Sequence, residues 1–577
     1  LVLRGATEES ARKFAAAVRK AVDGILAEGI PQELLLASLN AAEFASLERP
    51  GTLPDGVLDA INASTGWLHT GDPALLLHTD RLFASLREKM ADGWFDELLR
   101  ELFAPAPVQV VQVPTLPKKE ESEPIRTDGK LVLEHPLTVA DLGDGARTAP
   151  GERELLAGVQ LLHHPSAGSL YLNFYYDLGN VKPEDMPYLD LLTDVLDELD
   201  STEHTAQQLN TLRSTWLGDS RVQLDIWTGR QEGAPCHAKL SLCLSLLERS
   251  LDKAVELGGE WLYDTILTGP AAEAAFARVL SQQKLNMEQQ FIQQGNVYAA
   301  TRASAHYTVD GAVSERCSGV SYYKFLCGVQ ERGNWAALGE KLDALRTEVL
   351  QHAELTVSLY GSEDALAKLR TLLPDSRFAA EGRAAAKPYV EPPVNEAFII
   401  DGGVNYDVQV WPMERRSDRK ALARVMSYEY LWHNIREVGG AYGTGMLSSD
   451  GVEYLYTYRD PHVKESYDTF AKGPAELAAR EYTEKDLNDF IVGTVAKLDT
   501  PRKPRAEARE TDRRYFCGIT DEMMAADRKA LCAVDAALLK EQAAELGAAM
   551  ANGVRVVFGS KDAVEAAKDL FDTVETL

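Results

Sequence analysis

The chain has 577 residues, 45% apolar and 26% charged, which is the composition of an ordinary globular protein with room for about three or four domains. Sixty basic residues against 88 acidic ones leave a net charge of −28, and this argues against a nucleic-acid binder, which needs a basic face. No run of eighteen apolar residues reads as a membrane-spanning helix. Six scattered cysteines without a C-x-x-C pair point to reduced thiols and a cytosol-like compartment, cytoplasm or organelle matrix.

The chain opens on Leu1-Val2-Leu3-Arg4-Gly5, which reads as the end of a strand and gives the sequence the look of a fragment. Thr7 then caps a helix to about Ala27. Further helices are predicted at 32–48, 74–90 and 92–103, with a strand at 108–113 closing the segment. The polar, proline-punctuated stretch 114–134 reads as a linker. Strands are predicted at 158–163, 169–177, 220–228 and 236–245, around a helix at 187–199. Long helices at 248–266, 271–295 and 335–351 follow, then a strand at 354–360 and a helix from 362. The last segment repeats this plan. It has strands at 404–411, 452–458 and 554–558, and helices through Arg436 and at 464–480, 484–496 and 536–550.

Two endings match: Leu359-Tyr360-Gly361-Ser362-Glu363-Asp364-Ala365 and Val557-Phe558-Gly559-Ser560-Lys561-Asp562-Ala563. Each is helix, strand, Gly-Ser turn, helix. Residues 92–113 end similarly. The predicted fold is therefore α+β, two full copies of one unit plus the end of a third, with strands clustered before helices rather than alternating.

Residues 422–461 concentrate the candidate chemistry. Leu422, Val425, Met426, Tyr428, Leu431, Trp432 and Ile435 recur at helical spacing, and Gly439-Gly440 ends the helix. Arg436 thus lies in the last helical turn and Tyr442 just beyond a glycine hinge, with Gly443 and Gly445 next and the strand Tyr454–Tyr458 after them. The residues alone leave two readings open. A cation and a phenol meet beside bare backbone, or Arg436 complements the helix dipole and Tyr442 packs.

Arg436-Glu437-Val438-Gly439-Gly440-Ala441-Tyr442-Gly443, followed by Tyr456-Thr457-Tyr458-Arg459-Asp460-Pro461, resembles the C-terminal half of presequence proteases, zinc metallopeptidases of the insulinase and pitrilysin group. Looser similarity runs through Glu28-Gly29-Ile30-Pro31, Gly66-Trp67-Leu68 and Ser318-Gly319-Val320-Ser321-Tyr322-Tyr323. The resemblance implies four homologous domains in two halves. Residues 1–113 would be the end of the second, 114–134 a shortened linker, 135–385 the third and 386–577 the fourth. It also implies catalytic contacts from Arg436 and Tyr442 and substrate contacts from Gly440, Ala441 and Gly443. The substrates implied are unfolded peptides, and the main partner is the N-terminal catalytic half.

The family's zinc motif, H-x-x-E-H on a helix, does not occur in the sequence. Asp200-Ser201-Thr202-Glu203-His204 has the spacing but follows a helix end. In the helix 187–199, Leu192, Val195 and Leu196 stand where the two His and the Glu would be. Zinc is thus implied for a full-length enzyme and not for this chain, whose metal ligands are expected to be none. The alternative reading is a non-catalytic, structural or substrate-holding relative of this peptidase family.

Overall fold

The computed structural model describes residues 7–49, 53–77, 79–105, 108–111, 136–143, 145, 151–156, 158–166, 169–230, 236–378, 389–449 and 451–577. They fall into two units, Leu1–Pro136 with Thr211–Gly218, and Leu137–Asn210 with Asp219–Leu577.

The first unit is helical among its described N-terminal residues, with helices Glu8–Glu28, Gln32–Glu48, Asp55–Thr70, Thr79–Ala91 and Trp94–Phe103. Thr7 caps the first helix by accepting the N–H of Ser10 at 3.2 Å. The helix Asp55–Thr70 escapes a sequence reading because Gly56, Gly66 and several Ser and Thr residues dilute its apolar period. The helix predicted from 74 starts at Thr79; before it, the Asp72 carboxylate accepts the N–H of Ala74 and holds a turn. Val108–Val111 forms no strand, since a strand exists only where a neighbour takes up its backbone groups. The rest of that predicted strand, the linker 114–134 and the opening Leu1–Gly5 lie outside the described residues.

In the second unit the aromatic and β-branched runs build two six-stranded sheets. The first comprises β1 (Glu152–Leu156), β2 (Val159–Pro165), β3 (Leu170–Asp177), β4 (Leu217–Thr228), β5 (Cys236–Leu246) and β6 (Leu355–Gly361), in the order β1-β2-β6-β3-β5-β4. The second comprises β7 (Glu396–Ile399), β8 (Tyr406–Pro412), β9 (Gly443–Ser448), β10 (Val452–Tyr458), β11 (Val554–Gly559) and β12 (Thr573–Thr576), in the order β12-β7-β11-β8-β10-β9. Omitting the outer strands β1 and β12, the two orders are the same path. A first strand runs parallel to the last, as in Leu161 against Val357 and Ala397 against Val557. The last then pairs antiparallel with the second, as in Leu172 against Leu359 and Val408 against Val556. The matching Gly361-Ser362 and Gly559-Ser560 turns close equivalent strands, β6 and β11. The fold is α+β, with mixed sheets packed against helices.

Several elements were not legible in the sequence: β7 and β12, and the helices Val309–Ser318, Val320–Arg332, Pro504–Phe516 and Asp521–Cys532. The last two are rich in Arg, Asp and Glu, so their apolar period is weak.

Each sheet takes a helix from the opposite repeat. The long helix Pro270–Ser304 packs on β8 and β11, where Phe291 lies 5.5 Å from Phe558. It leaves helical geometry at Gln294, and at Gly295 a Cβ would stand 2.4 Å from the Tyr406 ring, so only glycine admits this approach. In return, the helix Pro504–Phe516 packs on the first sheet. Its Asp512, with no exposed surface, accepts hydrogen bonds from Ser358 (2.6 Å), Tyr175 (2.7 Å) and Asn173 (3.1 Å).

Burial pushes the Asp512 carboxyl up to about 6, against the hydrogen bonds and the Arg509 charge that pull it down. His164 Nε2 stands 3.7 Å away, and burial, with the charges of His163 and Arg153, pulls it down to about 4. The signs oppose. The folded protein holds a proton on Asp512 that the unfolded chain releases above its ordinary value of 3.8, so this contribution is lost as pH rises through about 6. Neutral His164 is favoured by folding, so its contribution grows from about pH 4 to its ordinary value of 6.5. Asp512→Asn removes the first slope and unmasks the second. Urea unfolding of the variant should show stability climbing from about pH 4 to 6.5, more steeply than in the native protein. Asp512→Ala, which leaves three buried donors without their acceptor, should cost about 3 kcal/mol or more at either end of that range. A loss below about 1 kcal/mol would mean that apolar packing alone docks this helix.

Candidate functional site

The helix that carries Arg436 begins as an α-helix at Arg419–Val425 and continues as a π-helix over Met426–Val438, where the sequence predicts α-helical spacing throughout. Long π-helical runs are rare and gather at functional sites. Its inner face, Leu422, Val425, Met426, Leu431 and Ile435, is buried as predicted. Tyr428 and Trp432 depart from the prediction: Tyr428 is exposed, Trp432 only half-buried, and both line a cavity.

Polar contacts seat this helix on the sheet. Arg419, with no exposed surface, donates to both carboxylate oxygens of Glu453 on β10, at 2.6 and 2.7 Å, and a third bond at 3.1 Å reaches Glu545. The Trp411 indole N–H donates to Glu453 from the neighbouring strand β8 at 3.3 Å. Ser427 accepts the N–H of Met446 on β9 at 2.8 Å while donating to the carbonyl of Ala423.

The helix ends in a widened turn. The N–H groups of Gly439, Gly440 and Ala441 donate to the carbonyls of Asn434, Arg436 and Ile435, each at 3.1 Å. Gly440 has φ +81°, a left-handed conformation that costs any residue with a Cβ. Ala441 is buried in this turn. The N–H of Tyr442 then donates to the carbonyl of Tyr458 at 3.1 Å, pinning the loop to the end of β10. There Arg459 adopts φ +51°, unusual for a residue with a side chain. The turn is fixed by Asp460, whose carboxylate accepts from the N–H of His462 (2.9 Å) and the hydroxyl of Ser466 (2.8 Å).

The predicted pair is brought together. The Arg436 guanidinium lies 4.0 Å from the Trp432 ring centre and 5.8 Å from that of Tyr442. Tyr442 is 69% exposed, and its ring meets Tyr458 edge-on at 5.9 Å. Gly443 lines the adjoining cavity of about 630 Å³, which is bounded by β9, the outer face of the helix, and Thr494, Lys497 and Leu498 of the helix Glu484–Leu498. Sequence reasoning missed Arg424 and Lys497 as members of this site and took Tyr428 and Trp432 for core. The available signal is the series Arg424, Tyr428, Trp432, Arg436, four residues apart and hence on one helix face.

No group of three His, Cys, Asp or Glu placed to hold a metal occurs among the described residues. Where the resemblance sets the zinc helix, Leu192, Val195 and Leu196 are all buried in the core and offer no donor atom, so these residues do not fit a metal. Asp200 instead accepts the N–H of Ala206, and His204 pairs with Glu260 at 2.9 Å.

Residues 136–329 match the family model of the domain associated with M16 peptidases of subfamily C, and residues 414–555 match the PreP C-terminal domain. The chain is 24% identical over 631 residues to presequence protease 1, chloroplastic/mitochondrial, of Arabidopsis thaliana, covering 98% of this chain and 57% of that protein. It is 20% identical over 625 residues to Protein HypA of Clostridium perfringens, covering 100% of this chain and 64% of that protein. The chain thus spans about three-fifths of the length of these relatives. Two solved structures share the fold. A conserved protein from Enterococcus faecalis has a TM-score of 0.52 at 12% identity, over 72% of this chain and 99% of that one. A peptidase M16 inactive domain from Pseudomonas fluorescens has a TM-score of 0.50 at 14% identity, over 71% and 98%. The fold is that of M16 peptidase domains. Within that class the chain is related to the presequence proteases and carries both the peptidase-associated domain and the C-terminal domain of that family.

The buried ion pair is the testable element of this scaffold. Glu453→Ala leaves the buried Arg419 with only its single bond to Glu545 and should cost about 3 kcal/mol in urea unfolding. Gly440→Ala, by contrast, should cost only about 1–2 kcal/mol, the strain of one left-handed residue.

Proposed function

We propose that this chain is the substrate-contacting part of a zinc-dependent endopeptidase that degrades unfolded peptides in a closed chamber. The metal and the general base belong to the remainder of the intact protein, its N-terminal catalytic half. In the family's terms, residues 1–113 are the end of a second domain, 135–385 a third and 386–577 a fourth, with 114–134 the linker. The matches to presequence proteases, and the share of their length that this chain spans, support the reading. Relatives named for mitochondria and chloroplasts favour an organelle matrix or an equivalent cytosolic setting.

One observation carries the role of the site. Arg436 lies 5.8 Å from the ring centre of Tyr442, which lines an aromatic cavity, and a glycine turn and a strand end with left-handed Arg459 hold the pair there. Neither side chain has a carboxylate partner among the described residues. A guanidinium and a phenolic O–H so placed are suited to holding the scissile carbonyl and the oxyanion that forms on it. Backbone at Gly440 and Gly443 leaves room for the peptide, while Ala441 fixes the turn.

In the intact protein, Tyr442→Phe should lower kcat on the order of 100-fold with little change in KM, because the donor acts mainly in the transition state. Arg436→Lys keeps the charge, loses the planar fork, and should also be impaired. Thermal melting should be unchanged for both variants. Full activity in Tyr442→Phe would end the catalytic assignment.

The isolated chain should cleave no peptide and retain no stoichiometric zinc by elemental analysis. A second reading, a non-catalytic substrate-holding subunit, draws support from the apolar residues of the helix Met186–Val195 and from the likeness to an inactive domain. Peptidase activity in the intact protein would exclude it.

A further inference from the structure

The cavity behind Tyr442 has a chemistry of its own. Its walls are aromatic, with Tyr428, Trp432, Tyr442, Tyr456 and Tyr458 all on its surface. No Asp or Glu lines it among the described residues, in a protein with 28 more acidic than basic residues. Cations line it instead. Arg424 lies 4.9 Å from the centre of the Tyr428 ring, and Lys497 lies 6.0 Å from the same ring. Neither Arg424 nor Lys497 pairs with a carboxylate among the described residues, although most other arginines of this unit do. Arg436 extends the same row beyond Trp432.

A guanidinium over an aromatic ring keeps its donors free at the edge, where they can meet an anion. An aromatic floor takes apolar side chains. The volume of about 630 Å³ lies within the roughly 300–1,000 Å³ of pockets that enclose small ligands, enough for more than one residue of a peptide. An acidic protein gains nothing structural by gathering unpaired cations around one aromatic hollow. A ligand that is both anionic and apolar explains the arrangement.

We infer that this cavity is a subsite for a peptide segment in which a bulky apolar or aromatic side chain stands next to a carboxylate. The carboxylate is an Asp or Glu side chain or the free C-terminus, and it is held by Arg424 and Lys497. The subsite rests on the peptide-binding reading above and adds a selectivity to it. Basic stretches of a substrate are disfavoured here, whatever the overall charge of the protein attracts elsewhere.

The test is binding of fluorescent peptides to the full 577-residue chain, followed by anisotropy. Four probes share an unfolded frame: Phe-Glu or Phe-Gln internally with an amidated end, and Phe at the C-terminus as free acid or amide. At low salt the Glu probe, the free-acid probe or both should bind on the order of tenfold more tightly than the uncharged counterpart. Which pair shows the difference identifies the source of the carboxylate. Lys497→Gln and Arg424→Gln should erase that difference while leaving the uncharged probes unaffected, and Arg424→Lys should retain most of it. Trp432→Ala should weaken charged and uncharged probes alike. Equal binding of all four probes to the native chain, or an undiminished preference in the Lys497→Gln, Arg424→Gln double variant, overturns the subsite. Failure of the catalytic reading shows elsewhere: Tyr442→Phe would keep full turnover in the intact protein while the preference for carboxylates persisted.

Discussion

The buried pair of Arg419 and Glu453 is the constraint from which the site follows. It lies at the start of the helix that ends in Arg436 and on the strand that ends in Tyr458, so one bidentate contact sets both elements in register. Burying two charges is expensive, and the cost is offset here because Trp411 and Glu545 satisfy further hydrogen-bonding capacity of the pair. Such a pair adds less to stability than to uniqueness. Any other seating of the helix would leave a charge buried without a partner.

The second level of organisation is the exchange of helices between repeats. Neither sheet covers itself. The first repeat lends Pro270–Ser304 to the second sheet, and the second lends Pro504–Phe516 to the first. Both helices lie in equivalent connections, β5 to β6 and β10 to β11, which join the two neighbours of the central strand, so the exchange is a property of the repeated topology. Asp512 makes one half of it specific. A carboxylate with three donors accepts only one position of its helix, where apolar packing alone tolerates several. The buried His164 beside it is shifted the opposite way, so the two groups contribute opposing pH slopes.

Charge on this protein has to be read locally. The net value of −28 describes the solvated surface. The hollow beside Tyr442 runs the other way, with cations laid against aromatic rings and no carboxylate among its described lining residues. A cation on an aromatic face keeps its charge without an acidic neighbour, which is how a positive site persists inside a negative molecule.

Much was legible in the residues because it rests on local rules. The Gly-Ser turns at 361 and 559, the runs Leu170–Asp177 and Val452–Tyr458, and the Gly439-Gly440 helix end are set by glycine, by β-branched and aromatic side chains and by capping groups within a few positions. The glycine turn brings Arg436 and Tyr442, six residues apart, near each other for the same reason, while their role was implied only by the family resemblance. What sequence alone left open depends on partners far along the chain. Tyr428 and Trp432 fit the apolar period of the core, yet the π-helical turn and the seating by Arg419 and Ser427 leave them on the cavity side. Val108–Val111 has no strand to pair with among the described residues, so its β-branched content decides nothing. The helix Pro504–Phe516 is too charged to announce an apolar face, because much of its contact with the first sheet is made by Asp512, Arg509 and Arg505 beside Phe516. The sequence by itself thus determined many of the elements, the repeat and the nearness of Arg436 to Tyr442, which follow from interactions between near neighbours. The tertiary structure decided which face of each element is buried, how the repeats exchange helices and how Lys497 and Arg424 come to line one cavity, because those outcomes depend on contacts between residues separated by tens or hundreds of positions.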